Sequence, residues 1–184
     1  MIGVVSLDAS LVLAARVLLV LIFARSLYSK SRRYDEFVGV VANYGLVPTV
    51  LVPAVAWFVL VSEGLVLLSL TIGRAITWGA SLAALLLCSF GVAITINLAR
   101  GRTEIDCGCF SGDLRHPIGL ELLIRNGLLA GAACLMPLSD ATGISGLQLI
   151  NGFGAGVSLF LLYLVGERFG VARRQAALIR ARWS

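Results

Sequence analysis

The chain has 184 residues, of which 59% are hydrophobic and only 14% are charged, with a formal net charge of +5 and a mean hydropathy of +0.95. Soluble domains carry about 25% charged residues, and a soluble core of this size must be covered by a polar surface that this composition does not supply. The composition therefore excludes a soluble globular domain and a disordered chain, and it predicts an integral membrane protein.

Five apolar runs approach the length of about 20 residues that a membrane span needs. In chain order they cover residues 8–29, 46–70, 75–99, 118–137 and 147–166. The first run lacks a basic leading segment and a small-residue cleavage site, so we interpret it as a retained helix rather than a signal peptide. The sequence predicts an all-α fold, a polytopic membrane helix bundle of about five transmembrane helices.

A polar stretch, residues 30–45, connects the first two runs. It begins with basic residues and continues with apolar ones, in the order Lys30, Arg32, Arg33, Phe37, Val38, Val40, Val41 and Tyr44. This pattern is typical of a short amphipathic helix that lies in the membrane interface. The alternative is an ordinary connecting loop.

The basic residues are distributed unevenly between the two sides of the predicted bundle. Eleven of the 15 Lys and Arg residues fall on the side with residues 30–33, 100–117 and the C-terminal tail, whereas the other side receives only Arg74. Basic loops are retained in the cytoplasm. The sequence therefore predicts a multi-pass protein of the plasma or inner membrane, with the N-terminus outside and the C-terminus cytoplasmic. These charges suit anionic lipid headgroups, and nothing indicates nucleic acid as a partner.

The four cysteines are of two kinds. Cys88 and Cys134 lie inside predicted spans among Leu, Ala and Gly, where a thiol behaves as a small hydrophobe. Cys107 and Cys109 lie in the longest polar segment between spans, separated by one glycine. That glycine gives the backbone the freedom that a small-ring disulfide needs, and a strained or exposed disulfide is easily reduced.

Three interpretations of the Cys107 and Cys109 pair are open. The pair is a redox-active dithiol, or it supplies two ligands to a metal with His116 as a third, or it has no chemical role. Zinc sites use wider spacing and four ligands, and no second cysteine pair is present to complete one. The redox interpretation is therefore favoured. No phosphate-binding loop or haem motif appears, so no tightly held cofactor is implied.

Charged residues inside membrane spans are costly and are usually paired or functional. At 1.5 Å per residue, Arg16 and Glu63 lie roughly 11 Å below the same membrane surface, so we expect them to form a structural ion pair. A second polar cluster gathers at the opposite end, near the cysteine pair, and consists of Arg25, Asn97, Glu121, Arg125 and Asn126.

Two residues near the cysteine pair are candidates for a catalytic role. An Arg close to a cysteine lowers the pKa of the thiol and raises the thiolate fraction, which makes Arg125 the first candidate for activating the pair. His116 is a candidate proton carrier because the pKa of an unperturbed imidazole is near neutrality. The simpler alternatives are that Arg25 and Arg125 extend towards headgroups and that His116 merely precedes a helix start.

Several motifs together resemble the MauE/DoxX family of redox-associated membrane proteins. They are Asn97-Leu98-Ala99-Arg100-Gly101-Arg102, Asp106-Cys107-Gly108-Cys109-Phe110 and Arg125-Asn126, with Arg16, Phe23 and Lys30 in the first span and Trp57, Glu63 and Gly64 in the second. Ser111 departs from the family pattern, in which glycine follows Cys-Gly-Cys-Phe directly. The resemblance implies a DoxX-like four-helix membrane domain over residues 1–137, which leaves residues 138–184 as a fifth transmembrane helix and a basic tail.

The resemblance implies a role in thiol–disulfide chemistry. Cys107 and Cys109 are then expected to cycle between dithiol and disulfide and to pass electrons to a thioredoxin-like protein or a quinone, in the maturation or assembly of a partner such as disulfide-rich methylamine dehydrogenase. The alternative is a non-enzymatic membrane subunit or assembly factor of a larger complex. A small-solute transporter is a third possibility, but no span is broken by a midplane proline and no inverted repeat is evident.

The basic residues and the expected disulfide chemistry indicate opposite sides of the membrane for the cysteine pair. The basic residues place it in the cytoplasm, where thiols are kept reduced, whereas disulfide maturation is expected on the oxidising outer face. The strong charge asymmetry favours the cytoplasmic side.

Overall fold

The computed structural model describes residues 8–72, 75–103, 105, 118–138 and 145–183, with the backbone alone at 138, 171 and 173–183. Over this part of the chain the secondary structure is helical throughout, which confirms the all-α membrane bundle. Six α-helices and two short 3₁₀ turns, Thr49–Leu51 and Met136–Leu138, are present in it. The α-helices are α1 (Ala9–Arg32), α2 (Tyr34–Tyr44), α3 (Val52–Thr71), α4 (Ile76–Ala99), α5 (Leu120–Leu135) and α6 (Gly146–Trp183).

Four helical segments in the described residues are long and apolar enough to cross a membrane: Ala9–Arg32, Thr49–Thr71, Ile76–Ala99 and Gly146–Gly170. The predicted fourth run, residues 118–137, forms only the 16 α-helical residues of α5, about 24 Å at 1.5 Å per residue. Extended Gly119 precedes α5 and a 3₁₀ turn with Pro137 follows it, so neither end continues as α-helix. Four of the five predicted spans are therefore confirmed by length and composition in the described residues, and the fourth run forms a shorter helix than expected.

The short helix predicted between the first two spans is confirmed as α2, but it begins later than expected. Helix α1 continues to Arg32, so Lys30 belongs to the first span and not to the connection. The Tyr34 hydroxyl donates a hydrogen bond to the Pro53 carbonyl at 3.2 Å, and the Tyr34 ring lies 6.1 Å from the Trp57 ring. These contacts attach α2 to α3.

Helix α1 packs against α3 and α6, while α4 packs against α3 and α5. Gly152 and Gly156 of α6 lie directly against α1, since a Cβ atom added at Gly156 would lie 2.6 Å from the Val17 Cβ. This is the close approach that a Gly-x-x-x-Gly spacing permits in membrane helices. Helix α6 is therefore packed into the same bundle as α1, α3, α4 and α5.

The outward surface of the bundle is apolar. It includes Trp78 and Leu128, whose side chains are 80% and 71% exposed. Cys88 and Cys134 are also exposed on this surface and are free thiols. Since α4 crosses the membrane and α5 packs beside it, this surface faces lipid, where a thiol acts as a small hydrophobe.

Candidate functional site: two groups of buried charges

Two charged side chains are buried within the described residues, Lys30 of α1 and Glu63 of α3, which are 3% and 1% exposed. The Lys30 Nζ donates a hydrogen bond to the Glu63 Oε1, and the Ser26 hydroxyl donates to the same oxygen at 3.0 Å. The ammonium also lies 4.9 Å from the Phe37 ring centroid and 5.0 Å from that of Phe90. We call Lys30 and Glu63 the core ion pair.

The expected Arg16–Glu63 pair is corrected by these contacts. Arg16 instead donates hydrogen bonds to the carbonyl oxygens of Leu70, at 2.6 Å, and Thr71, at 3.1 Å. These carbonyls lie in the last turn of α3, where no further helical N–H is available to them. Arg16 thereby caps the C-terminus of α3.

The direction of the side chains explains why the predicted pair is wrong. A helical side chain leans towards the N-terminus of its own helix. Helices α1 and α3 are antiparallel, so Arg16 reaches towards the start of α1 while Glu63 reaches the opposite way. Lys30, which is 14 residues or about 21 Å further along α1 than Arg16, leans into the bundle and meets Glu63.

A second group of charges links α1, α5 and α6, and we call it the loop-side network. Its centre is Glu167 of α6, whose Oε1 lies 3.2 Å from the Arg125 Nη1 and accepts a 2.6 Å hydrogen bond from the Tyr163 hydroxyl. The Arg25 Nη2 lies 3.9 Å from the other Glu167 oxygen, and Arg125 also contacts the Asn126 Oδ1 at 3.3 Å. The structure thus brings together Arg25, Arg125 and Asn126 of the predicted polar cluster.

The other two members of that cluster lie elsewhere. Asn97 is completely buried near the end of α4, and its Nδ2 donates a hydrogen bond to the Ala93 carbonyl at 3.1 Å. Its Oδ1 has no hydrogen-bond partner among the described residues. Glu121 is exposed on the first turn of α5, where a carboxylate interacts favourably with the helix dipole.

Sequence reasoning missed Lys30, Ser26, Tyr163 and Glu167 as parts of these groups. Glu167 directly follows the predicted end of the last span, and Tyr163 stands four residues before it, a spacing that puts both side chains on one helix face. Tyr163 lies inside the predicted span, and extending that span by one residue brings Glu167 into consideration as well. Hydropathy assigned Lys30 to the connection because the apolar run ends at residue 29, although the family resemblance placed it in the first span.

A small cavity of about 30 Å³ lies between the core ion pair and the loop-side network. We call it the polar cavity, because its lining includes the polar residues Ser26, Lys30, Glu63, Arg125, Asn126 and Tyr163. This volume accommodates one or two water molecules, and the lining offers the polar partners that a buried water needs. The polar cavity therefore has the size and the polar side chains to hold a water molecule between the two groups of charges.

A larger cavity of about 190 Å³ lies on the other side of Lys30, between α2, α3 and α4, and we call it the Lys30 pocket. Its walls are almost wholly apolar, and they are formed by Phe37, Val40, Val41, Tyr44, Leu46, Val47, Val55, Val59, Phe90, Ala93 and Ile94. Lys30 thus lines both the Lys30 pocket and the polar cavity.

The predicted catalytic residues Cys107, Cys109 and His116 lie outside the described residues. The chain on either side of them is described, and there the Ile118 amide donates a 2.9 Å hydrogen bond to the Ile105 carbonyl. The segment between these two residues, 106–117, which we call the cysteine segment, therefore leaves and re-enters the described structure at one place. In the described part of the chain no cluster of His, Cys, Asp or Glu could hold a metal ion.

Comparison with known proteins gives a consistent result. The profile of a family described as methylamine utilisation protein MauE matches residues 8–139. The methylamine utilization protein MauE of Paracoccus denitrificans is 36% identical over 163 residues, and that of Paracoccus versutus is 39% identical over 161 residues; each alignment covers 85% of this chain and 86% of the relative. The MauE protein of Methylophilus methylotrophus is 33% identical over 87% of this chain and 86% of its own length. No solved structure matches the chain. The chain belongs to the MauE family.

Proposed function

We propose that this chain is a membrane protein of methylamine utilisation that performs thiol–disulfide exchange through Cys107 and Cys109. It acts with a thioredoxin-like partner in the maturation or assembly of another protein. The observation that carries the proposal is the Cys107-Gly108-Cys109 sequence in the connection between α4 and α5, whose ends meet at the Ile118–Ile105 hydrogen bond. The relatives named as methylamine utilization proteins support the biological system.

The exchange needs one attacking thiolate and one resolving thiol. One cysteine attacks a disulfide of the partner and forms a mixed disulfide, and the second cysteine displaces the partner's sulfur, so that a Cys107–Cys109 disulfide forms as the partner becomes a dithiol. The same two steps in the reverse direction regenerate the dithiol. Arg125, in the second turn of α5, is our candidate for favouring the thiolate, and His116 is our candidate for carrying the proton.

For the membrane orientation we propose an external N-terminus and a cytoplasmic cysteine segment and C-terminus, in the plasma or inner membrane. Arg32, Arg33, Arg100 and Arg102 support this orientation, since all four are exposed at the end of the bundle from which the cysteine segment departs. Lys30 no longer contributes to the charge asymmetry, because it is buried and paired. Labelling of Cys107 and Cys109 by a membrane-impermeant maleimide in intact cells would contradict this orientation.

The function is tested by Cys107→Ser and Cys109→Ser, each expressed in place of the wild-type protein, with Cys88→Ala as the matched control. We expect both Ser variants to insert in the membrane and to lose the ability to support partner maturation, while the control retains it. Full activity of both Ser variants would instead favour a non-enzymatic assembly factor. In that case co-purification with a larger complex would be unaffected by the substitutions.

A further inference from the structure

We infer that the Lys30 pocket binds the ring of a lipid-soluble quinone, which accepts the electrons of the Cys107 and Cys109 dithiol. This inference rests on the proposed function. When the Cys107 and Cys109 dithiol is oxidised back to the disulfide without its protein partner, the two electrons must pass to another acceptor. A quinone is an acceptor of that kind that dissolves in the bilayer surrounding the pocket.

The size and the walls of the pocket fit such a ring. A dry protein cavity of about 150 Å³ holds benzene, so the volume of about 190 Å³ accommodates one six-membered ring with small substituents. Phe37 of α2 and Phe90 of α4 contribute aromatic faces to the lining. Apolar pockets with a few well-placed polar groups are the usual form of small-molecule sites.

Lys30 supplies the polar group that distinguishes a quinone from an alkyl chain. Its ammonium has three N–H donors, and within the described residues Glu63 is its one hydrogen-bond acceptor. A quinone carbonyl accepts a hydrogen bond from a remaining donor, whereas a lipid tail offers no acceptor. An anionic headgroup is a poorer match, because Glu63 already balances the charge of Lys30.

The position of Lys30 also suits the protons that the reaction moves. In the balanced step the two thiols of Cys107 and Cys109 lose two electrons and two protons as the S–S bond forms. The quinone gains two electrons and two protons and leaves as the hydroquinone. Lys30 and Glu63 line the polar cavity, so water there can exchange protons with the pair as the hydroquinone forms.

The cysteine segment is connected to the pocket through α4. Ala93 and Ile94 of α4 line the pocket, and the chain continues from there to Arg102. A Cβ atom added at Gly45, which ends α2, would lie 3.0 Å from the Arg102 Nη1. The Arg102 guanidinium therefore lies beside Gly45, the residue that directly precedes Leu46 and Val47 of the pocket wall.

The test is direct binding of decylubiquinone to the purified full-length protein in detergent, followed by equilibrium titration. Val59→Phe fills the pocket, and Val61→Phe is the matched control, because Val61 lies two residues away on α3 but is 49% exposed on the outer surface. We expect Val59→Phe to raise the Kd by at least about tenfold and Val61→Phe to leave it unchanged. An equal effect of both variants, or of neither, would overturn the inference.

Two further measurements identify the occupant and the role of Lys30. Decanol, which has the same alkyl chain without the quinone ring, should not compete with decylubiquinone; equal competition would show that the pocket takes lipid tails and would overturn the inference. The double variant Lys30→Met with Glu63→Gln removes both charges together, so that no unpaired charge stays buried. We expect it to fold and to bind decylubiquinone about tenfold more weakly, and unchanged binding would contradict the role of Lys30.

The design separates this inference from the proposed function. A variant with Cys107→Ser and Cys109→Ser should bind decylubiquinone with the wild-type Kd and fail to reduce it. If the wild-type protein does not bind decylubiquinone but still exchanges disulfides with a protein partner, the quinone site is refuted and the proposed function stands. If the quinone binds and the cysteines never change redox state, the proposed function fails and the pocket remains a binding site.

Discussion

The core ion pair gives the sharpest test of how the bundle is held together. In Lys30→Met, Glu63 remains buried as a carboxylate that has lost its cation, and in Glu63→Gln, Lys30 remains buried without its anion. The double variant removes both charges and keeps side chains of similar length. The three variants and the wild type form a double-mutant cycle.

The size of the expected stability loss follows from the burial of both charged side chains. Both partners are at most 3% exposed, so solvent compensates little for a lost partner. Breaking a buried pair on one side typically costs about 3–5 kcal/mol, whereas replacing both partners with uncharged residues is close to neutral. For a chain of this length that cost corresponds to a fall in Tm on the order of 10 °C for each single variant.

Thermal unfolding of the purified protein in detergent, followed by circular dichroism, measures these effects. The control is Arg33→Met, which removes an exposed pair with Glu36 at 3.5 Å and should cost less than about 1 kcal/mol. We expect each single variant of the core ion pair to be clearly destabilised and the double variant to recover most of the loss. If the Tm losses of the two single variants simply add in the double variant, Lys30 and Glu63 are not coupled and the reasoning is refuted.

Three further predictions concern the helix contacts. Gly156→Ala forces a Cβ atom into α1 and should lower the free energy of unfolding by about 1–3 kcal/mol. Gly154→Ala is the control, because a Cβ atom there meets open space and should be tolerated. Equal Tm values for the two variants would contradict the close α1–α6 packing. Tyr163→Phe removes a hydroxyl that bonds both Arg125 and Glu167 and should cost about 1–3 kcal/mol in chemical unfolding; an unchanged midpoint would contradict that contact. Hydrogen bonds from the Ser10 amide and hydroxyl hold the pKa of Asp8 below its ordinary value. The stabilisation by the Asp8 carboxylate is therefore complete above about pH 4 and is lost as the pH falls through the lowered pKa. Asp8→Asn, which caps without a charge, should remove this contribution to the pH dependence of Tm, and identical pH profiles of variant and wild type would contradict it.

The positions of the long helices followed from hydropathy, because a bilayer requires continuous apolar runs whatever the packing within the bundle. The family was also evident from the motifs around Cys107 and Cys109, and the comparisons confirm it. The length of α5 was overestimated because the apolar run was extended to Ile118 and Pro137. The backbone at both ends of α5 departs from α-helical geometry.

The charge partners were harder to predict, because depth in the membrane does not determine which way a side chain leans. Arg16 and Glu63 have similar depths by residue count and yet bind groups at opposite ends of the bundle. Arg25 and Arg125 both lie near Glu167, since both are close to the same membrane surface. Their shared partner, Glu167, was excluded by ending the last span one residue too early.

The central claim, that Cys107 and Cys109 cycle between dithiol and disulfide, is tested most directly by trapping their redox state. In a Cys88→Ala, Cys134→Ala background these two are the remaining cysteines of the chain. Membranes are quenched with acid and alkylated with a mass-tagged maleimide before and after addition of a reduced or an oxidised thioredoxin-like protein. We expect two species, carrying two tags or none, that interconvert with the redox state of the added protein. Two tags under every condition would contradict dithiol–disulfide cycling of Cys107 and Cys109.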